Sequence, residues 1–316
     1  MDADALIDRR RMRRKLFFWR AAAILVALVG IAGLVYMASP DPAGRDHIAR
    51  ISITGLIQDD EELVKLIDEA ANSETAKAIV VSISTPGGTT YGGEKIHNAL
   101  VKARGSKPVV ADVRTLAASA GYMIAASTDH IVAGESSIVG SIGVIFQYAQ
   151  VSELLDKIGV QMKEIKSAPL KAEPSPFHPA TPAAEEMIRS MVLDSYGWFV
   201  DLIATERKMD RDKVLGLADG SIFTGRQSLE NGLVDAIGGE AEIRSYLKSR
   251  DVADELDIVE WQKPQKSTSS LLPKLLALAV QRITGAPTTL TSELERLADG
   301  KMFLDGLVSV WQVASQ

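Results

Sequence analysis

The chain has no cysteine. Disulfides and thiolate metal sites are therefore excluded. Histidine is scarce: His47, His97, His130 and His178 are the only four. None of their spacings matches a metal-ligand pattern, so a zinc enzyme is not indicated. Basic charge is also short. The formal net charge is −6, and the basic groups crowd into the start of the chain as Arg9, Arg10, Arg11, Arg13, Arg14, Lys15 and Arg20. What remains is an acidic body, which argues against a nucleic-acid partner. No repeat of 20–50 residues is visible.

What is present is more informative. With 316 residues and 46% hydrophobic content, the chain can build one large domain or two smaller ones. Residues 21–38, "AAAILVALVGIAGLVYMA", carry no charge and approach the ~20 residues of a bilayer-spanning helix. The basic cluster on the N-terminal side predicts a cytoplasmic start and an extracytoplasmic remainder. The run is long for the apolar part of a cleaved signal peptide, which favours an uncleaved signal anchor. Residues 39–48 read as a linker. From residue 49 to about 166, apolar β-branched runs alternate with helical spacing: "ARISITG", "EELVKLIDEAAN", "AKAIVVSIS", "GGEKIHNALVKARG", "KPVVADV", "AGYMIAAST", "HIVAG", "GSIGVIF", "VSELLDKIG" and "VQMKEIK". That order predicts α/β architecture with a mostly parallel sheet. A long helix is expected over Pro182–Arg207, a further helix at "EAEIRSYLKSR" and a last strand at "LDIVEWQ". Residues 263–316 are expected to be a helical tail that packs on its own or a neighbouring subunit.

Three stretches hold candidate chemistry. Ser119, in "RTLAASAGYMIA", sits at a strand-to-helix junction among small residues. There a hydroxyl can act as a nucleophile, with the N–H of Ala120 holding an oxyanion, or simply cap the helix. "TPGG", Thr85–Gly88, ends a buried strand, and its glycines can turn backbone N–H groups toward a substrate oxygen. No histidine is well placed as a base: His97 is mid-helix, His130 starts a strand and His178 lies in a proline-rich loop. A lysine is the alternative. To work near neutral pH it must lose about 3 units from a reference of about 10.4, through burial. Lys163, Lys166 and Lys171 are the candidates, and composition does not choose among them.

Taken together, the anchor, "TPGG", "LAASAGYMIA", "GSIGVIF", "KSAPLK" and "FTGRQSLENGLVDAIGG", in that order, resemble signal peptide peptidase A in its short, single-repeat bacterial form. The resemblance covers about residues 49–262. It implies a Clp/crotonase-like fold of repeated β-β-α units and a Ser–Lys dyad peptidase without a cofactor or metal. By the same resemblance Ser119 is the nucleophile, Lys171 the general base and Ser141 the hydroxyl that orients it, with Gly88 (or Gly87) and Ala120 forming the oxyanion hole. It further implies a homo-oligomeric ring on the bacterial plasma membrane, acting on released signal peptides and other extended apolar peptides. Three departures stand out. Thr85 replaces the usual Ser, and Ala120 replaces Gly after the nucleophile, keeping the N–H but adding a methyl expected to narrow the pocket. Met123 also stands where a second aromatic is common. A crotonase-type acyl-CoA enzyme and a catalytically silent membrane scaffold are the rival readings.

Overall fold

The computed structural model describes residues 18–20, 23–27, 30, 44–262 and 308–310. Residues 18–20 and 23–27 are helical. Among the described residues no helix is long and apolar enough to cross a membrane; most of the expected anchor, 21–38, lies outside them.

From Asp46 onward the described residues form one compact unit. Its core is β1 (His47–Thr54), β2 (Ala76–Thr85) and β4 (Val109–Ala118), all parallel. Both faces of these strands are covered, so they read as continuous apolar runs rather than alternating ones. On one face Ile51, Ile79, Val81 and Ile83 pack under three helices: α1 (Glu61–Asn72), α2 (Thr90–Arg104) and α3 (Ala120–Ala126). On the other face Ile48, Ala78, Val80 and Val110 meet Ile243 and Leu247. Each fully buried Ile or Val contributes about 1.5–3 kcal/mol.

Helix starts follow local chemistry. Asp60 accepts from the Leu63 N–H at 2.9 Å to cap α1, and Thr89 accepts from Gly92 at 3.1 Å to cap α2. Helix α2 ends at Gly105, as its sequence predicts.

Strand β3 (Gly87–Thr89) stands apart from the main sheet. The remaining strands are β5 (His130–Ala133), β6 (Ile138–Gly140), β7 (Ile222–Thr224), β8 (Ala236–Ile237), β9 (Ile258–Trp261) and β10 (Val308–Val310). The main order is β7-β6-β4-β2-β1-β9, with β5 also on β4. Strands β5 and β6 share one edge of β4 end to end, β5 against Val110–Val113 and β6 against Leu116–Ala118. Among the described residues of this sheet, only β6 and β7 pair antiparallel. The later helices are α4 (Ser152–Lys157), α5 (Pro182–Glu206), α6 (Arg211–Leu217), α7 (Gly225–Asn231) and α8 (Glu240–Lys248).

The mixed α/β class with a mostly parallel sheet is as expected. Three local expectations are corrected. "GSIGVIF" is in a strand only at Gly140, the last residue of β6, and residues 141–144 have no regular structure. "VQMKEIK" forms no strand: residues 160–166 are irregular and mostly exposed. The tail is not helical at Val308–Val310, where a β-branched pair flanks Ser309 and the backbone joins β3 antiparallel.

Candidate active site

Strand β4 runs out at Ala118, and the chain turns through Ser119 with φ 57° and ψ −120° into α3. A non-glycine residue in this region is strained, at a typical cost of about 1–3 kcal/mol. Its surroundings hold it there. The Ser119 N–H donates to Gly140 O at 2.8 Å, and Ser119 O accepts from Tyr122 and Met123 N–H at 2.9 and 3.0 Å. Tyr122 anchors the helix by donating its hydroxyl to Leu233 O at 2.8 Å in the core. Burial pushes the Tyr122 phenol well up, so that hydroxyl stays a donor. The Ser119 side chain makes no capping bond to α3. The helix-cap alternative therefore does not account for it.

The small residues around Ser119 have a packing cause. A Cβ on Gly121 would lie 2.6 Å from Thr85 Cγ2, so only glycine lets α3 approach the end of β2. Ala120 is fully buried, and a Cβ at Gly93 of α2 would lie 3.1 Å from its methyl. The Ala120 methyl thus faces α2, where Gly93 leaves room for it. This corrects the expectation that it narrows a substrate pocket.

Thr85 does the hydroxyl's work at the head of the "TPGG" turn. Its Oγ1 donates to Gly55 O at 2.5 Å and accepts the Gly87 N–H at 3.1 Å. Ile57 then brackets β3: its N–H donates to Gly87 O at 2.9 Å and its carbonyl accepts from Thr89 N–H at 2.8 Å. Residues 87 and 89 therefore face Ile57, and alternation along a strand turns the Gly88 N–H and C=O to the opposite side. A Cβ on Gly88 would sit 1.9 Å from Ile57 O, so the bracket requires glycine. The Ile57 bracket had no signal in the sequence beyond the glycine pair itself.

Ser141 follows Gly140, the residue whose carbonyl receives Ser119. Both have positive φ, 105° at Gly140 and 52° at Ser141, and the Ser141 N–H donates to Ser221 O at 2.7 Å. Ser119, Ser141, Ala120 and the β3 turn therefore converge at the C-terminal ends of β2, β4 and β6.

The three lysines differ sharply. Lys166 Nζ lies 2.6 Å from a carboxylate oxygen of both Glu164 and Glu173. Those bonds hold its proton more tightly than usual and hold both carboxyls low. Such a lysine is a poor base. Glu164, Glu173 and His178 have ligand atoms within 4.8 Å of one another, but the Lys166 ammonium fills the place a cation would take. Lys163 and Lys171 are exposed. Among the described residues the Lys171 ammonium makes no ion pair or hydrogen bond. It lies in the sequence stretch 162–177, a band whose exposed apolar side chains include Met162, Ile165, Leu170 and Phe177.

The histidines are engaged elsewhere. His97 Nε2 is 3.2 Å from Glu206, His130 stacks on Tyr246 with ring centroids 4.2 Å apart, and His47 accepts from Trp261 Nε1 at 3.0 Å. His178 joins the Lys166 cluster.

Comparison with known proteins gives the same direction. Residues 102–253 match the model of peptidase family S49. A Synechocystis sp. protein assigned as a protease is 36% identical over 262 residues, covering 81% of this chain and 87% of that one. An Enterococcus faecium protein assigned as signal peptide peptidase SppA is 31% identical, covering 70% and 68%. A solved structure of a membrane-bound stomatin-specific protease matches with a TM-score of 0.48 at 14% identity, over 69% of this chain and 98% of that one. The chain belongs to peptidase family S49, as a serine peptidase similar to signal peptide peptidase A.

Proposed function

We propose that the chain is a membrane-anchored endopeptidase that cleaves extended apolar peptides, released signal peptides among them, by acyl transfer through Ser119. The observation that carries this reading is the strained elbow at Ser119, set between the Gly140 carbonyl and the glycine turn of β3. Ser119 Oγ attacks the peptide carbonyl, and Lys171 takes its proton. The N–H groups of Gly88 and Ala120 hold the oxyanion, the kind of contribution that dominates such catalysis. Gly88 is preferred to Gly87, whose N–H is engaged by Thr85. The lysine then protonates the leaving amine, and a water activated by the same group frees the acyl-enzyme. Ser141 is the hydroxyl that orients Lys171.

A lysine can serve as a base only when stripped of water. Lys171 is exposed in the single chain, in a stretch of sequence that also exposes Met162, Ile165, Leu170 and Phe177. Packing of a second copy onto this band would both cover it and desolvate the amine, which supports a homo-oligomeric enzyme. Residues 49–262 are the proposed peptidase domain. The uncharged run 21–38 behind a basic start supports an anchor that holds this domain outside the cytoplasm, at a bacterial plasma membrane.

The test is turnover of an unfolded apolar peptide by purified full-length variants. Ser119→Ala and Lys171→Ala are expected to lose turnover by about 10⁴-fold or more, and Lys166→Ala to keep it. A dead Lys166→Ala beside an active Lys171→Ala would overturn the choice of base. Equal cleavage of folded polar proteins would overturn the substrate class.

A further inference from the structure

Helix α3 begins directly after Ser119, and its seven residues, "AGYMIAA", are all buried. Most of its surface is apolar, and apolar burial has no preferred direction. Met123, in the same helix, is a side chain that repacks easily. Tyr122 is the only side chain in α3 with a hydrogen-bond donor. Its hydroxyl donates to Leu233 O at 2.8 Å. The acceptor is itself fixed. The Leu233 and Val234 N–H groups donate to Ser228 O at 2.8 and 3.2 Å. The preceding carbonyl, Gly232 O, accepts from Arg207 Nε and Nη2 at 3.2 and 3.0 Å. Arg207 forks onto Asp235 at 3.0 and 2.6 Å, and Asp235 accepts the Ile131 N–H at 2.7 Å. The stretch "NGLVD" is thereby tied to α5 and β5. It lies within "FTGRQSLENGLVDAIGG", a motif that supplies none of the reacting groups. At the other side of the same residue, the Tyr122 N–H donates to Ser119 O at 2.9 Å. Tyr122 thus holds the strained elbow with its main chain and the distant motif with its side chain.

We infer that Tyr122 is a positioning residue for acyl transfer: its bond to Leu233 O sets the rotation of α3 about its axis, and with it the line of the Ser119 hydroxyl and the Ala120 N–H. This rests on the roles given to Ser119 and Ala120 above. Both groups act only when placed closely, since a 1 Å error at a reacting centre costs on the order of 10²-fold in rate. Without the hydroxyl, α3 keeps its apolar contacts but loses the one side-chain contact that has a direction. The carbonyl of Leu233 is then left unsatisfied in the core. Tyr122 is fully buried and cannot touch the peptide. Its loss therefore falls on kcat rather than on KM.

The experiment sets Tyr122→Phe beside Tyr196→Phe. Tyr196 is a matched control: its hydroxyl donates at 2.9 Å to the carbonyl of buried Ala218, at the C-terminal end of α6. Each change deletes one hydroxyl and leaves one carbonyl without its partner, so both should lower Tm by similar amounts. Three readouts are taken on the full-length enzyme: kcat and KM on a fluorogenic apolar peptide well below Tm, the rate of Ser119 modification by a fluorophosphonate, and deuterium uptake over residues 119–124. Tyr122→Phe is expected to lose about tenfold in kcat and in modification rate, with KM within about twofold and faster uptake. Tyr196→Phe is expected to match the parent in all three. Placing 4-aminophenylalanine at position 122, whose amine can donate to Leu233 O, should restore kcat. A Tyr122→Phe kcat within about twofold of the parent, or an equal loss in Tyr196→Phe, overturns the positioning role. Where Tyr122→Phe does not fold, Arg207→Lys decides: it keeps a cation for Asp235 but withdraws the fork from Gly232 O, and a parent-like kcat overturns the role equally. If Ser119 is unmodified in the parent, the nucleophile assignment fails instead. Uptake then still decides whether the hydroxyl holds the elbow, and unchanged uptake in Tyr122→Phe refutes it.

Discussion

Gly88→Ala is the substitution for which the structure gives the sharpest expectation. An added Cβ would lie 1.9 Å from Ile57 O, 2.5 Å from Ile57 N and 2.6 Å from Ile57 C. All three are backbone atoms, and Ile57 is tied to β3 on both sides of Gly88. No side chain can swing away to relieve the contact. To restore even 3.0 Å, the glycine strand and Ile57 must separate by at least about 1.1 Å. That opens two backbone hydrogen bonds and carries the Gly88 N–H off its line. Overpacking of this kind costs about 1–3 kcal/mol of stability. A 1 Å error at a reacting centre costs on the order of 10²-fold in rate. Loss of one oxyanion donor costs about 10²–10³-fold in kcat, or about 2.7–4 kcal/mol. The assay is kcat on a fluorogenic peptide at a temperature where circular dichroism shows the variant folded. Gly197→Ala serves as the control: that glycine lies within α5 and a Cβ there meets nothing within 4 Å. It is expected to keep full activity and to gain up to about 1 kcal/mol of stability. A folded Gly88→Ala enzyme within threefold of the parent kcat would refute the placement of the oxyanion donor on β3.

Thr85→Val should destabilise by about 1–3 kcal/mol, because the buried Gly87 N–H and Gly55 carbonyl lose their partner; Thr85→Ser should restore both stability and rate, as read by thermal melts and turnover. Lys166→Met should lower Tm at neutral pH while leaving Ser119 reactive, since Glu164 and Glu173 would then face each other without their cation. In the parent those carboxyls are held low chiefly by the Lys166 bond, so that stability is present above about pH 4.3 and lost as pH falls below it; the variant's melts should lack this acid limb. His130 is pushed down by burial and by Arg207, against an opposing pull from Asp235. The unfolded chain then binds the proton first, near pH 6.5, so stability should fall as pH drops from 7.5 to 5.5, and His130→Gln should flatten that slope.

The parallel sheet was readable because its strands are buried on both faces and announce themselves as β-branched runs such as "AKAIVVSIS". The helix ends were readable because Asp60, Thr89 and Gly105 carry their own local chemistry. Ser119 and the "TPGG" turn stood out for a physical reason too: crowded small residues mark close backbone approach, here of Gly121 to Thr85 and of Gly88 to Ile57. What the sequence left undecided depends on distant partners. Setting Lys166 aside required knowing that Glu173 returns to meet it. The direction of the Ala120 methyl depended on Gly93 of another helix. "VQMKEIK" has the alternation of a strand, but strand formation needs a partner edge, and these residues pair with no strand among the described residues. The tail misled in the opposite way: its helical periodicity was overridden at Val308–Val310 by an unpaired edge at β3.

The reactivity of Ser119 decides whether this chain is a serine peptidase of the proposed kind. Purified full-length enzyme should be treated with a fluorophosphonate and the adduct mapped by peptide mass spectrometry. A single modified residue is expected, Ser119, modified quickly in the parent and in Lys166→Ala and hardly at all in Lys171→Ala. An adduct on another serine, or Ser119 labelling that persists undiminished without Lys171, would contradict it.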